Sequence, residues 1–200
     1  MAELPYGDRM PTPIGHALGG LIVAAAMMPR AGATTGPKDG GDLKTTAGDL
    51  TMTAGLKAGR YSWIAWCGAA ACLPDLDFFW GRHNMETHSL GFALLVGLVV
   101  LGWTRRSRLA LACTLAVASH VLFDWLGSDD YPPLGVMALW PLTDAFFFAD
   151  AFVFEAISRR YWLPGFVLHN VLAVVREVAI LTPILALVWW GRVRTGRRLS

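Results

Sequence analysis

Charge is scarce in this sequence. Only 16% of its 200 residues are Asp, Glu, Lys or Arg, against about 25% in an ordinary soluble domain. No uninterrupted apolar run reaches the ~20 residues that cross a bilayer comfortably. Cysteine is confined to Cys67, Cys72 and Cys113, all in apolar stretches and with no CxxC pair. That excludes a disulfide framework and a thiolate zinc site, and leaves the three as small buried hydrophobes. The opening residues, MAELPYGDRMPTPIG, carry acids and prolines ahead of their apolar stretch, unlike a cleaved signal peptide. The net charge of +2 speaks neither for nor against a polyanion, and no nucleic-acid partner is expected.

Apolar residues are abundant. The chain is 54% hydrophobic, holds nine tryptophans and has a mean hydropathy of +0.45, which points to a membrane protein. Its length suits a single domain over 1–200, with no room for a second core. Five apolar runs stand out: Ile14–Met28, Tyr61–Leu73, Ser89–Trp103, Leu109–Phe123 and Val178–Gly191. Each is short alone, and their polar ends are expected to complete the crossings. The expected architecture is all-α, an integral membrane bundle of about five hydrophobic helices. Residues 29–60, rich in Gly and Thr, read as a flexible loop. Residues 127–163 are aromatic and interrupted by acids, which suits a segment at the membrane interface or one packed over a site.

Basic residues orient the bundle. The stretch between the third and fourth runs, the tail after the fifth and the Gly-rich loop together hold twelve of the 17 Lys and Arg residues. If these segments are cytoplasmic, the N-terminus is outside, the C-terminus inside, and the chain crosses five times. The expected location is a bacterial inner or plasma membrane.

Acids and histidines then collect at the outer ends. His16 lies just after Thr12 and Pro13, which suit an N-cap and a first helical residue. Asp75 and Asp77 follow the second run, His88 opens the third, and His120 and Asp124 close the fourth. In SHVLFDW the pair His120 and Asp124 are four apart and share a helix face. An imidazole nitrogen and a carboxylate oxygen there can reach one ion at ~2.0–2.2 Å. Asp75 or Asp77, with His88, would complete a tetrahedron. Such a set suits zinc, manganese or iron better than calcium. A second ion bridged by Asp124 would employ His16. A free carboxylate, Asp77 or Glu177, is a candidate general base, and Arg82 is placed to neutralise a phosphate. His83 and His169 read as structural histidines. Asp129 and Asp130 read as a solvated turn, and Arg176 with Glu177 as an ion pair at the outer membrane surface.

The segments PTPIGHALGG, CLPDLDFFW…THSL and ASHVLFDWLG…PLGVMALWPL resemble the YdjM-type membrane-bound metal-dependent hydrolases, described as LexA-regulated, over roughly residues 11–145. The order His, Asp, His, HxxxD is also similar to the zinc phospholipase C and single-strand nuclease superfamily, in which an all-helical domain hydrolyses phosphate esters. The resemblance implies that His16 serves an outer ion, and that Asp75, His88, His120 and Asp124 hold its neighbour with Asp124 bridging. Two features depart from the pattern. Arg82 and His83 stand in the reverse of the expected His-Arg order, and no HxxxE follows Asp124, so one or two ions are expected rather than three.

The resulting expectation is a zinc-dependent membrane hydrolase whose site faces the periplasm or exterior. Its partners would be membrane lipids and a lipid-linked or other phosphate-ester substrate. The rival is a non-catalytic membrane protein that binds or transports metal. A conduction path needs polar residues through mid-membrane, whereas the middle of each run here is apolar.

Overall fold

The computed structural model describes residues 11–29, 48–80, 84–129, 132–149, 151–158 and 160–197. Arg82, His83, Asp130 and most of the 29–60 segment, residues 30–47, lie outside the described residues. Within them the chain is all-helical: α1 Pro13–Met27, α2 Gly48–Cys72, a short 3₁₀ segment Pro74–Trp80, α3 Leu90–Thr104, α4 Ser107–Leu126 and α5 Phe166–Arg197. The only β pairing among these residues is two isolated bridges, Gly127 with Phe154 and Val136 with Phe147.

Local chemistry fixes the helix ends. The Thr12 hydroxyl accepts from the Gly15 amide at 3.2 Å, and Pro13 follows with φ already suited to a first turn. Ser89 does the same for α3, accepting from Phe92 N at 3.0 Å. At the other end of α1, the Arg192 guanidinium donates to the Ala26 carbonyl at 2.7 Å and to that of Met28. It thereby satisfies carbonyls the helix leaves open.

α4 is the central helix. Ala112, Cys113, Ala116 and Val117 are fully buried on it, against Ala24 of α1, Cys67 and Ala71 of α2 and Ala93 of α3. Small side chains let the backbones approach closely, the usual device where lipid removes most of the hydrophobic incentive to associate. At Gly20, for example, a Cβ would stand 2.5 Å from the Cys67 carbonyl oxygen of α2. Cys67 and Cys113 are buried free thiols, as expected of small hydrophobes.

Two helices are long and apolar enough to cross a membrane: α4, half buried, and Phe166–Thr195 of α5, only 17% buried. α1 and α3 have 15 residues each, about 22 Å at 1.5 Å per residue, short of a ~30 Å hydrocarbon core. Flanking residues do not lengthen them into full spans as expected from sequence. The exposed faces of α3 and α5 are apolar, with Leu94, Leu98, Val167 and Leu187 all more than half accessible, more than a soluble surface ordinarily shows.

One expectation is corrected here and one is narrowed. Residues 48–60 are helix, not flexible loop: α2 begins at Gly48. Leu50, Met52, Ala54, Leu56, Lys57 and Ala58 are good helix formers, and extending an existing helix avoids the cost of a new nucleus, so Gly and Thr do not break it. The described part of the 127–163 connection, given two readings from sequence, packs over the end of the bundle where α3 starts and α4 stops. Ala138 O accepts from Leu90 N at 2.9 Å, Met137 N donates to Asn84 O at 3.1 Å, and Val153 N donates to Leu126 O at 2.9 Å.

Candidate metal centre

The helix ends that meet under this connection carry the acids and histidines. His16 lies in the first turn of α1, Asp75 in the 3₁₀ segment after α2, and His88 just ahead of α3. His120 and Asp124 occupy the last turns of α4. All five converge. His16, His88 and His120 are fully buried, the Asp124 side chain is 1% exposed and that of Asp75 11%.

The distances have a pattern. Asp124 Oδ2 is 3.1 Å from His120 Nε2 and 3.6 Å from His88 Nε2, while Asp75 Oδ1 is 3.7 and 3.9 Å from the same two nitrogens. Four ligands ~2.0–2.1 Å from a tetrahedral ion stand about 3.3 Å from one another. The observed edges bracket that value. The second oxygen of Asp124 faces the other way, 3.3 Å from His16 Nε2, so one carboxylate addresses two places. Ligand atoms of His16, Asp75 and His120, and likewise of His88, His120 and Asp124, lie within 4.8 Å of one another.

Neighbouring acceptors stand where they would hold two of the imidazoles in the tautomer a cation requires. The Ala71 carbonyl oxygen is 2.7 Å from His120 Nδ1. An N–H donated there leaves the Nε2 lone pair facing the cluster. His88 Nδ1 faces Asp77 Oδ2 at 3.2 Å, and the Thr87 hydroxyl donates to that same oxygen at 2.8 Å. His16 stacks on His120 with ring centroids 3.6 Å apart. Both nitrogens of His16, both oxygens of Asp75 and Asp124, and Nε2 of His120 are buried without a hydrogen-bond partner. Such atoms are costly unless something pairs them, and their converging N and O lone pairs fit a divalent cation.

Electrostatics outside the spanning helices agree. Burial opposes the charged form of Asp75, but the facing His88, then His120 and His16, outweigh it and hold its carboxyl below the usual range. Burial likewise disfavours a charged His88, yet Asp75 and Asp77 prevail and push its pKa up to about 9. Without an ion, positive charge is thus drawn to the place a cation would take.

A family model described as YdjM inner membrane protein matches residues 10–197, nearly the whole described chain. The chain belongs to the YdjM inner membrane protein family. No curated protein and no solved structure matches it. Membership places this YdjM protein in an inner membrane, with α4 and α5 as candidate spans.

One site expectation changes in this YdjM protein and two are narrowed. Asp77 is fully buried, and its Oδ2 faces Thr87 and His88, a placement that suits a residue orienting His88. Glu177 does not pair with Arg176, because consecutive helical residues point in different directions. Arg176 instead bridges to Glu155 at 3.0 Å. Glu177 is fully buried and caps the start of α1: its Oε1 accepts from Thr12 N at 2.6 Å and its Oε2 from the Thr12 hydroxyl. Gly15 makes room for it, since a Cβ there would be 2.7 Å from Glu177 Oε2. Both carboxylate oxygens thus accept a hydrogen bond from Thr12, and Glu177 is a clasp joining α5 to α1. Arg82 lies outside the described residues. His169 contacts the Ala156 carbonyl at 2.8 Å, a structural use as expected.

Sequence reading missed Thr87 and the Ala71 carbonyl. Thr87 was visible in the THS triplet, as a hydroxyl beside a histidine. A backbone carbonyl leaves no signal in the side-chain sequence.

Proposed function

We propose that this protein is a membrane-bound, metal-dependent hydrolase acting on phosphate esters at the membrane surface. The observation that carries the reading is the cluster of buried N and O atoms, four of whose separations run from 3.1 to 3.9 Å, on histidines whose other nitrogens face Ala71 and Asp77. Asp75, His88, His120 and Asp124 would hold one ion of the zinc class. His16, with the far oxygen of Asp124 and with Asp75, would serve a second. Three protein ligands there leave coordination positions for water and substrate, which distinguishes a catalytic site from a closed structural one. When bound, such an ion lowers the pKa of water toward ~7 and polarises a phosphoryl oxygen.

The protein's own contributions follow from position. Hydrolysis adds water across a P–O bond: the water oxygen joins phosphorus, the ester bond breaks, and the alcohol leaves with a proton. Asp75 is the least buried carboxylate of the cluster, with a side chain 11% exposed, and an oxygen that an ion left free would accept the proton of the attacking water. Arg82, six residues before His88 in the sequence, would neutralise phosphate charge. The 127–163 connection covers the site, with Phe154 against Phe123 at 5.0 Å between centroids and Phe123 beside His16, and so limits bulk water. The transport reading is less favoured, since the buried middle of α4 is Ala112, Cys113, Ala116 and Val117, and the hydroxyls of Thr114 and Ser119 are spent on carbonyls of their own helix.

The test is metal analysis of the detergent-purified protein, with hydrolysis of bis(p-nitrophenyl) phosphate, p-nitrophenyl phosphate and phosphatidic acid. At least one should be hydrolysed, with activity lost to a chelator and restored by zinc. Metal-loaded protein that turns over none of them would leave the cluster a structural staple.

We also place the centre on the periplasmic side, because the inner ends carry Arg105, Arg106, Arg108 and the basic C-terminal tail. With Cys72 replaced by alanine, a Leu142→Cys protein should react in intact spheroplasts with an impermeant maleimide, and Arg106→Cys should not. The reverse labelling would put the site in the cytoplasm.

A further inference from the structure

α2 and α3 both pack on α4 but make no substantial contact with each other. The gap between them is an apolar furrow of about 370 Å³, floored by Ala69 and Ala70 and walled by Trp66, Leu73, Phe92 and Trp103 among others. Three features tie it to the metal centre. Its upper end, at Leu73 and Phe92, is two residues from Asp75 on one side and four from His88 on the other. Asp75 is the least buried side chain of the cluster, 11% exposed against 1% for Asp124, so the centre lies nearest the surface at the end of the bundle where the furrow begins. From Phe92 to Trp103 the furrow follows about 16 Å of helix at 1.5 Å per residue, close to half of a ~30 Å hydrocarbon core and so to the depth of one leaflet.

We infer that this furrow seats one hydrocarbon chain of a lipid phosphate whose headgroup reaches the cluster at Asp75. The inference rests on the reading of the cluster as a phosphate-ester centre, and it narrows the substrate class to membrane lipids with a phosphate at the headgroup. The furrow is lined almost entirely by apolar atoms and its volume is within the range of small-molecule sites. A soluble phosphate ester would make no use of it. A lipid would hold its headgroup at the centre by burying its tail, without leaving the bilayer.

The probe is phosphatidic acid carrying a diazirine in one acyl chain, photolysed with zinc-loaded protein in vesicles and mapped by peptide mass spectrometry. Phosphatidylcholine with the same chain is the control for bulk lipid. Phosphatidic acid should label α2 and α3 peptides around Leu73, Val96 and Val99 several-fold over α5 peptides around Leu172 and Leu187, and phosphatidylcholine should show no such excess. Ala70→Trp fills the floor and should abolish the excess. Val99→Trp, built on an exposed wall, should do the same where the floor variant does not fold. Even labelling of furrow and α5, or equal labelling by both lipids, overturns the inference. Furrow labelling without ester hydrolysis removes the hydrolase reading and leaves the lipid seat. Hydrolysis with even labelling does the opposite.

Discussion

Asp124→Asn is expected to remove metal and activity together. The substitution keeps the side chain's size and its place in the last turn of α4, but it removes the charge that offsets a cation. It also puts an amide N–H₂ where one oxygen stood. Either Oδ1, 3.3 Å from His16, or Oδ2, 3.1 Å from His120 and 3.6 Å from His88, becomes a donor and cannot bind an ion. Affinity for zinc should fall by more than the ~10–100-fold that follows loss of a group merely orienting a ligand. Zinc per protein after dialysis, measured by plasma mass spectrometry, should drop to background, with phosphate-ester hydrolysis falling in parallel. The far-UV spectrum should be unchanged, because the helix keeps its backbone bonds. A variant that retains full zinc would show that Asp124 is not a ligand and that the four-atom tetrahedron is wrongly assigned.

Asp77→Asn should behave differently, and the difference separates an orienting residue from a base. Asp77 Oδ2 accepts from Thr87 at 2.8 Å and faces His88 Nδ1 at 3.2 Å. Without the negative charge the His88 ring is a weaker electron donor and less firmly held. Zinc affinity should fall ~10–100-fold. Turnover should recover at saturating zinc, since no proton-transfer group has been lost. Competition against a chelator of known affinity gives the first quantity, and rate against free zinc gives the second. A general base gives the opposite pattern: unchanged zinc affinity, with a loss of ~10²–10⁴ in turnover that added metal does not repair. That result would return Asp77 to the role its bare position in LPDLD suggested.

The five helices and the register of the candidate ligands on them could be read from the sequence. Helices are announced by local chemistry, namely apolar runs with Thr12-Pro13 and Ser89 at their starts. The spacing of His120 and Asp124 fixes their common face wherever α4 lies. The convergence of His16, Asp75, His88, His120 and Asp124 followed from the alternation of helix ends, since every basic connection placed those residues at the opposite side.

Tertiary structure decided the roles within that cluster. Asp75 and Asp77 are two apart on a 3₁₀ segment with three residues per turn, so their side chains diverge. Only the packing of that segment against His88 makes one a candidate ligand and the other its support. Glu177 is 165 residues from Thr12, and no local pattern says that α5 docks on the start of α1 and occupies both its oxygens there. Arg176 finds Glu155 for the same reason. The furrow is likewise a product of assembly: α2 and α3 each pack on α4 through small residues, and the space left between them belongs to neither helix alone. Sequence settles what depends on neighbours along the chain. Which acid orients, which clasps and where a lipid tail can lie depend on contacts between segments far apart in sequence, and only the folded bundle brings those together.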